Sequence, residues 1–270
     1  MSTTATTTAT TASPGAAARP APDHPRAGLR LTWLNPTYLV LDARRVLRNR
    51  RTLIFTIAMP VVFFFVFGAG QGDPDAKAYI MISLGVYGAM VAATSVGASV
   101  AVERAGGWSR QLRLTPLRPS SYVMGKVLTA TAIALLPILV EFAVGAASGV
   151  RLSAADWVLS GLLAWVGSLV FAAFGLAVGY LVPSENAMQI VGAVMSILAM
   201  LGGLFVPLSA FPHLMQEIAR FTPAYGVGVL ARFPLMDSGW LPGAVLNVAA
   251  WTAVFSLAAG LLFRRDTARV

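Results

Sequence analysis

Val102–Lys126, VERAGGWSRQLRLTPLRPSSYVMGK, follows directly on Tyr79–Ala101, YIMISLGVYGAMVAATSVGASVA, a run with no charged residue. The first stretch holds Arg104, Arg110, Arg113, Arg118 and Lys126 against a single acid, Glu103. About 20 apolar residues are needed for a helix to cross a hydrocarbon core of ~30 Å. Tyr79–Ala101 therefore reads as a membrane span, and the basic stretch as the loop that emerges from it.

The rest of the chain agrees. Of its 270 residues, 57% are hydrophobic and only 11% charged, and mean hydropathy is +0.72. Soluble domains carry about 25% charged residues. A net charge of +9 raises the question of nucleic acid, but the basic residues flank apolar runs and form no face interleaved with aromatics. Spans collect Lys and Arg at their cytoplasmic ends, and that accounts for the charge. There is no cysteine, which excludes disulfides and thiolate metal sites.

The fold expected is all-α: a polytopic membrane protein with six spans, at about 53–69, 79–101, 127–149, 157–182, 187–206 and 241–263. Pro60 is expected to kink the first. Residues 1–34, rich in Thr, Ala and Pro and containing His24, read as a disordered cytoplasmic tail, because they hold too little apolar surface to offset the entropy of ordering. The transmembrane domain is expected over 35–265, and a cytoplasmic C-terminus over 266–270. Before the first span, TYLVLDARRVLRNRR puts Leu39, Ala43, Val46 and Leu47 on one helical face and Arg44, Arg45, Arg48 and Arg51 on another. That pattern suits a helix lying in the membrane interface with its basic side toward anionic headgroups; charges that merely halt transfer would also fit.

Six spans put both termini on one side. That side holds eight Lys or Arg before the first span, five in Val102–Lys126 and three at the C-terminus. The other has Lys77, Arg151, Arg220 and Arg232. The bias places the termini and the Val102–Lys126 loop in the cytoplasm. Outside, Gln71–Ala78 and Val150–Asp156 are short. Pro207–Trp240 is longer, and Pro212, Pro223 and Pro234 divide it into short apolar helices expected to rest in the outer leaflet or dip back into it.

Within the loop, Gly106-Gly107 and then Pro116 and Pro119 bracket a short helix. Trp108, Leu112 and Leu114 could fill a groove, and Arg110 and Arg113 could pair with carboxylates of a partner. A solvated basic loop that only fixes orientation is the other reading. The pattern E-R-x-x-G-x-x-x-x-L-x-x-x-P-L, Glu103 to Leu117, resembles the cytoplasmic loop of ABC-2 type exporter permeases. The basic interfacial helix resembles that family's connecting helix, and Gly202–Arg232 resembles its last external loop. About Thr37 to Arg265 matches in order and length.

The resemblance implies a permease that pairs with itself or with a sibling subunit. Each copy docks a separate ATPase, two in all, which carries the ATP and Mg. Carried over residue by residue, Glu103, Arg104, Gly107, Leu112, Pro116 and Leu117 form the coupling loop, to which the physical reading adds Trp108, Arg110 and Arg113. It also implies a bacterial cytoplasmic membrane as location. The chain itself has no G-x-x-x-x-G-K-[ST] frame, so no nucleotide cofactor is expected on it and energy must come from elsewhere.

Glu141 is the one acid well inside a span, and such residues are functional candidates by default. It is a candidate for the translocation path or for carrying a proton; snorkelling, protonation or a bond to a nearby Ser or Thr are the bland readings. Gly145-x-x-x-Gly149 and Gly175-x-x-x-Gly179 permit close helix contact. Asn186 and Gln189 are read as helix-end residues, and Phe63, Phe64, Phe65 and Phe67 as facing lipid or, failing that, the partner permease. A secondary transporter using Glu141 is the alternative function, but no internal repeat accompanies it. A membrane enzyme would need a nucleophile, base or metal cluster, and the two histidines, His24 and His213, form none. The short outer loops favour an amphipathic or lipid-like cargo (a drug, lipid or glycan) over a small ion, as in drug or antibiotic efflux.

Overall fold

The computed structural model describes residues 36–107, 119–235 and 241–268. The expected tail lies outside the described residues, as do Trp108, Arg110, Leu112, Arg113, Pro116 and Leu117 of the loop. Helices α1 (Pro36–Arg48) and α2 (Arg50–Phe63) are followed by a π-helical turn at Phe64–Gly68. Then come α3 (Pro74–Ala105), α4 (Pro119–Ala147), α5 (Ala154–Leu181) and α6 (Ser184–Leu201). Two short helices, α7 (His213–Arg220) and α8 (Pro223–Arg232), precede α9 (Leu241–Ala268). The described residues contain no strand.

Five helices, α3, α4, α5, α6 and α9, are each long and apolar enough to cross a membrane. The first expected span is shorter. It counts as a sixth crossing only together with α1, from which it is bent by 61°. Pro60 lies within α2 and cannot donate a backbone hydrogen bond there. Several helices start where the sequence supplies a cap. Asp73 accepts from the backbone N–H of Asp75 ahead of Pro74, and Ser153 accepts from Asp156. The spans run a few residues beyond the apolar windows, because polar residues such as Glu103 and Lys126 also take helical positions and find partners inside the bundle.

Helix α3 is the central post: 78% of its most apolar window is buried, against 6% for α9. Val245, Leu246, Val254, Leu257 and Leu261 of α9 remain exposed, as suits a rim helix whose solvent is lipid. The tightest seam joins α3 to α5. A Cβ on Gly175 would stand 2.4 Å from the Thr94 carbonyl oxygen, and one on Gly97 2.7 Å from the Leu176 nitrogen. Backbones thus touch there, and the Thr94 hydroxyl donates to the Phe171 carbonyl. The glycine pair at 175 and 179 is therefore a packing feature. In the other pair Gly145 accommodates the Met81 side chain, but Gly149 is a turn residue with φ +87° and nothing packed on it.

Three further expectations need correction. Phe64 does not face lipid: it is fully buried, because the π turn rotates it inward against Gly68, where a Cβ would meet its ring at 2.8 Å. Phe65 and Phe67 are exposed. Helix α6 stops at Leu201, not near 206, and Leu204 N–H closes back onto the Ala199 carbonyl. Asp266 is not part of a separate terminus but lies in the last turns of α9, held by a partner on α3 described below. Of the two short helices, α8 is buried along its length, from Pro223 to Arg232, and α7 has one buried residue, Ala219.

A charged junction at the end of helix α3

Glu103 and Arg104 occupy the last turn of α3, immediately before Gly106-Gly107. Gly107 has φ +75°, a conformation that costs glycine little and other residues more. Being adjacent on a helix, the two side chains point about 100° apart, and each reaches a different set of neighbours.

Glu103 points toward α1 and α4. Its side chain is 3% exposed. Oε1 accepts from Lys126 Nζ at 2.6 Å and from Arg45 Nη1 at 3.0 Å, and Oε2 accepts from the Tyr122 hydroxyl at 2.5 Å. Lys126, 1% exposed, also donates to Asp42 Oδ1 at 2.6 Å. One ammonium therefore bridges two buried carboxylates from two different helices, and Arg45 supplies the second positive charge. Ionic groups this far from water require close pairing, and the distances supply it. Tyr38 lies beside this cluster, and burial, followed by the charges of Asp42 and Glu103, pushes its phenol well above the usual range.

Arg104 points the other way. Its guanidinium donates to the Gly179 and Tyr180 carbonyls, both at 3.1 Å, at the C-terminal end of α5. It also grips Asp266 of α9 in a two-pronged contact, Nε to Oδ2 at 3.1 Å and Nη2 to Oδ1. A cation at the end of a helix is favoured by the partial negative charge of its last carbonyls, and a fork-to-carboxylate pair is among the strongest side-chain hydrogen bonds. The two residues together bind the end of α3 to α1, α4, α5 and α9.

Of the residues expected in the loop, the described ones, Glu103, Arg104 and Gly107, thus sit at its root. Arg44 and Arg48 are exposed on α1, Arg45 is exposed but reaches Glu103, and Arg51 lies in the first turn of α2. The buried side of α1 carries Asp42, which the expected apolar face did not include, whereas Leu47 is 44% exposed. The reason is that α1 packs on the start of α4: a Cβ at Gly125 would stand 2.5 Å from the Tyr38 ring. Asp42, Tyr122, Lys126 and Asp266 were not singled out by the sequence as members of this site. A signal existed: Asp42 is the lone acid among arginines, and Lys126 is one of two lysines in a chain with eighteen arginines.

Two other buried charges lie elsewhere. Glu141 in α4 is fully buried, and neither oxygen has a hydrogen-bond partner; its Cβ lies against Gly85 of α3. Arg232, counted as an external charge from sequence, is 2% exposed at the end of α8. It donates to the Ser83 hydroxyl at 2.7 Å and stacks 4.3 Å above the Tyr79 ring. No group of three or more metal-ligating side chains occurs among the described residues.

Comparison with known proteins gives this arrangement its context. The family model for "ABC-2 type transporter" matches residues 33–232. The chain belongs to the ABC-2 type transporter family. A Bacillus subtilis (strain 168) protein named "Putative transport permease YvfS" is 31% identical over 196 residues, which cover 70% of this chain and 80% of that protein. The ABC-2 match spans α1 to α8 and therefore includes Glu103, Arg104, Asp42 and Lys126. The chain is a multi-pass transporter permease, and the junction is the place where its spans are tied to the longest charged segment between them.

Proposed function

We propose that this permease is the membrane subunit of an exporter driven by a separate ATPase. Residues 108–118 would receive the stroke, and the Glu103–Arg104 junction would deliver it to the helices. The observation that carries the reading is the two-way anchoring of adjacent residues. A displacement of the loop root pulls on α1 and α4 through Glu103 and on α5 and α9 through Arg104. A loop that served orientation alone would not need its root fastened to four helices, by a buried ion pair to α4 and by part-exposed ion pairs and hydrogen bonds to α1, α5 and α9.

In this reading both termini and the loop face the cytoplasm, the permease works as a pair, and two ATPase copies dock beneath it. Arg110 and Arg113 meet partner carboxylates, and Trp108, Leu112, Pro116 and Leu117 fill the docking groove. The exposed face of α1, with Arg44 and Arg48, rests on anionic headgroups. The cargo is amphipathic.

The test is co-expression with the ATPase and reconstitution in liposomes. Arg110→Glu and Arg113→Ala should weaken docking and release ATP turnover from transport, with insertion intact. Glu103→Gln should leave docking intact and lower transport per ATP hydrolysed. Unchanged coupling in all three variants refutes the proposal. The ion-coupled alternative predicts transport without the ATPase, abolished by Glu141→Gln.

A further inference from the structure

Two of the helices carry a proline in their interior, Pro60 in α2 and Pro137 in α4, and the fold brings them to one place. Both are buried, and they meet on Gly88 of α3: a Cβ there would stand 2.6 Å from Pro137 Cβ and 3.2 Å from Pro60 Cγ. Neither proline has an N–H, so the carbonyls of Thr56 and Ile133, one turn earlier, lose their intrahelical donors. A helix bends most easily where that bond is missing. Two such points from different helices, level with each other against a residue of the central post that has no side chain, make one fulcrum rather than two separate kinks.

Packing differs on the two sides of this contact. On the side far from the junction the helices are fastened: Gly145 of α4 accommodates Met81, Lys77 donates to the Ser148 carbonyl at 3.3 Å, and Phe64 beyond the end of α2 is fully buried. On the junction side a partly open groove separates them, with Leu53 and Thr56 of α2, Val96 of α3 and Ile133 of α4 in its lining. Every lining residue from these three helices lies between the fulcrum and the junction. There α4 is tied to α1, through Lys126 on Asp42 and through Tyr38 seated on Gly125, so the two move together. Trp165 of α5 donates to the Thr131 carbonyl at 2.7 Å, close to the fulcrum, where a swing is small. We infer that Pro60, Gly88 and Pro137 are the pivot about which the junction-side halves of α2 and α4 swing, changing the width of the groove. From Pro137 to Lys126 is about 16 Å along the helix, so a bend of ~10° moves Lys126 by about 3 Å. The inference rests on the coupling reading for the force, applied at Glu103, and adds to it the positioning residues that turn a pull into a bend.

The test uses the full chain in nanodiscs, without ATPase. The sequence has no cysteine, so spin labels go only where cysteines are introduced, and their separations are read by double electron–electron resonance. One pair reports the junction side, Met124→Cys in α4 with Leu261→Cys in α9. The other reports the far side, Ala146→Cys in α4 with Leu246→Cys in α9; all four positions are exposed. The junction-side distribution is expected to be the broader by roughly the 3 Å of that swing. Pro137→Ala and Pro60→Ala, which restore the missing N–H, should each narrow it toward the width of the far-side pair and leave that pair unchanged. Prolines that only shape the helices would shift mean distances without narrowing one side alone. Should either variant fail to fold, the two wild-type widths still decide, and equal widths overturn the pivot. A junction-side width that a folded proline variant leaves unchanged overturns it too, as does a far-side width that narrows equally. Because the widths are read without ATPase, they stand or fall apart from the coupling variants at Arg110 and Arg113, which leave them unaltered.

Discussion

Replacing Lys126 by Met is the most direct probe of the junction. The side chain keeps its length and loses its charge, so packing is largely preserved. The ammonium sits 2.6 Å from each of two carboxylates, with the three side chains 1%, 4% and 3% exposed. Solvent screening is therefore slight. Removing one partner of a buried pair typically costs about 3–5 kcal/mol, because the other charge is left stranded; here two are stranded. Arg45 remains near Glu103 but is 60% exposed, and an exposed cation contributes only about 0–1 kcal/mol.

The expected loss is thus ~3–5 kcal/mol, a large part of the ~5–15 kcal/mol that keeps a typical domain folded. At 2–4 °C per kcal/mol this is a fall of roughly 6–20 °C in the apparent Tm of the detergent-solubilised protein. Arg45→Ala, by contrast, should lower it by about 1 kcal/mol or less. The double variant Lys126→Met with Asp42→Asn should recover part of the loss, since it removes one stranded charge, with a coupling of ~0.5–3 kcal/mol between the two sites. If Lys126→Met melts within about 2 °C of the wild type, or if Asp42→Asn makes it worse, the ionic account of the junction is wrong.

Arg104→Lys keeps the charge but loses the fork that reaches Asp266 and two carbonyls at once; a loss of ~1.5–3 kcal/mol is expected, read as a lower melting point that added salt lowers little further. Gly175→Ala places a methyl group 2.4 Å from the Thr94 carbonyl oxygen, a backbone atom that cannot rotate aside, so α3 and α5 must separate at a cost of about 1–3 kcal/mol; folded yield on size-exclusion chromatography reports it, and a normal yield contradicts the seam. Glu141→Leu removes two buried oxygens that lack partners and should raise stability by roughly 1–3 kcal/mol; a lower melting point would mean that the carboxyl is satisfied by something beyond this chain's own side chains.

How far the sequence carries can be judged from particular residues. The apolar run Tyr79–Ala101 announces a span without any knowledge of neighbours, because crossing a bilayer is a demand on length and hydropathy alone. The helix starts at Pro74 and Ala154 lie a few residues ahead of the expected ones, because the caps Asp73 and Ser153 carry each helix into what hydropathy marks as a loop. Glu103 was legible as the odd acid of a basic loop, yet it turned out to be inside the bundle. Lys126 was read only as one of the loop's basic residues and Asp42 was not singled out, because each, taken singly, looks like a flanking charge. Their roles exist only when α1, α3 and α4 meet. Arg232 misled for the same reason: on a hydropathy scale it belongs to an external loop, but α8 folds inward and Ser83 and Tyr79 receive it.

Chain order, the all-helical class and the existence of the spans after the first are properties of local composition, and the sequence by itself settled them. Which charges are buried, which helix stands at the centre and where a groove opens depend on contacts between residues as distant as Asp42 and Lys126 or Arg104 and Asp266. The ions of the junction are tolerated inside the bundle because another helix brings each its counter-charge, and no one-dimensional pattern records that meeting; the tertiary structure decided it.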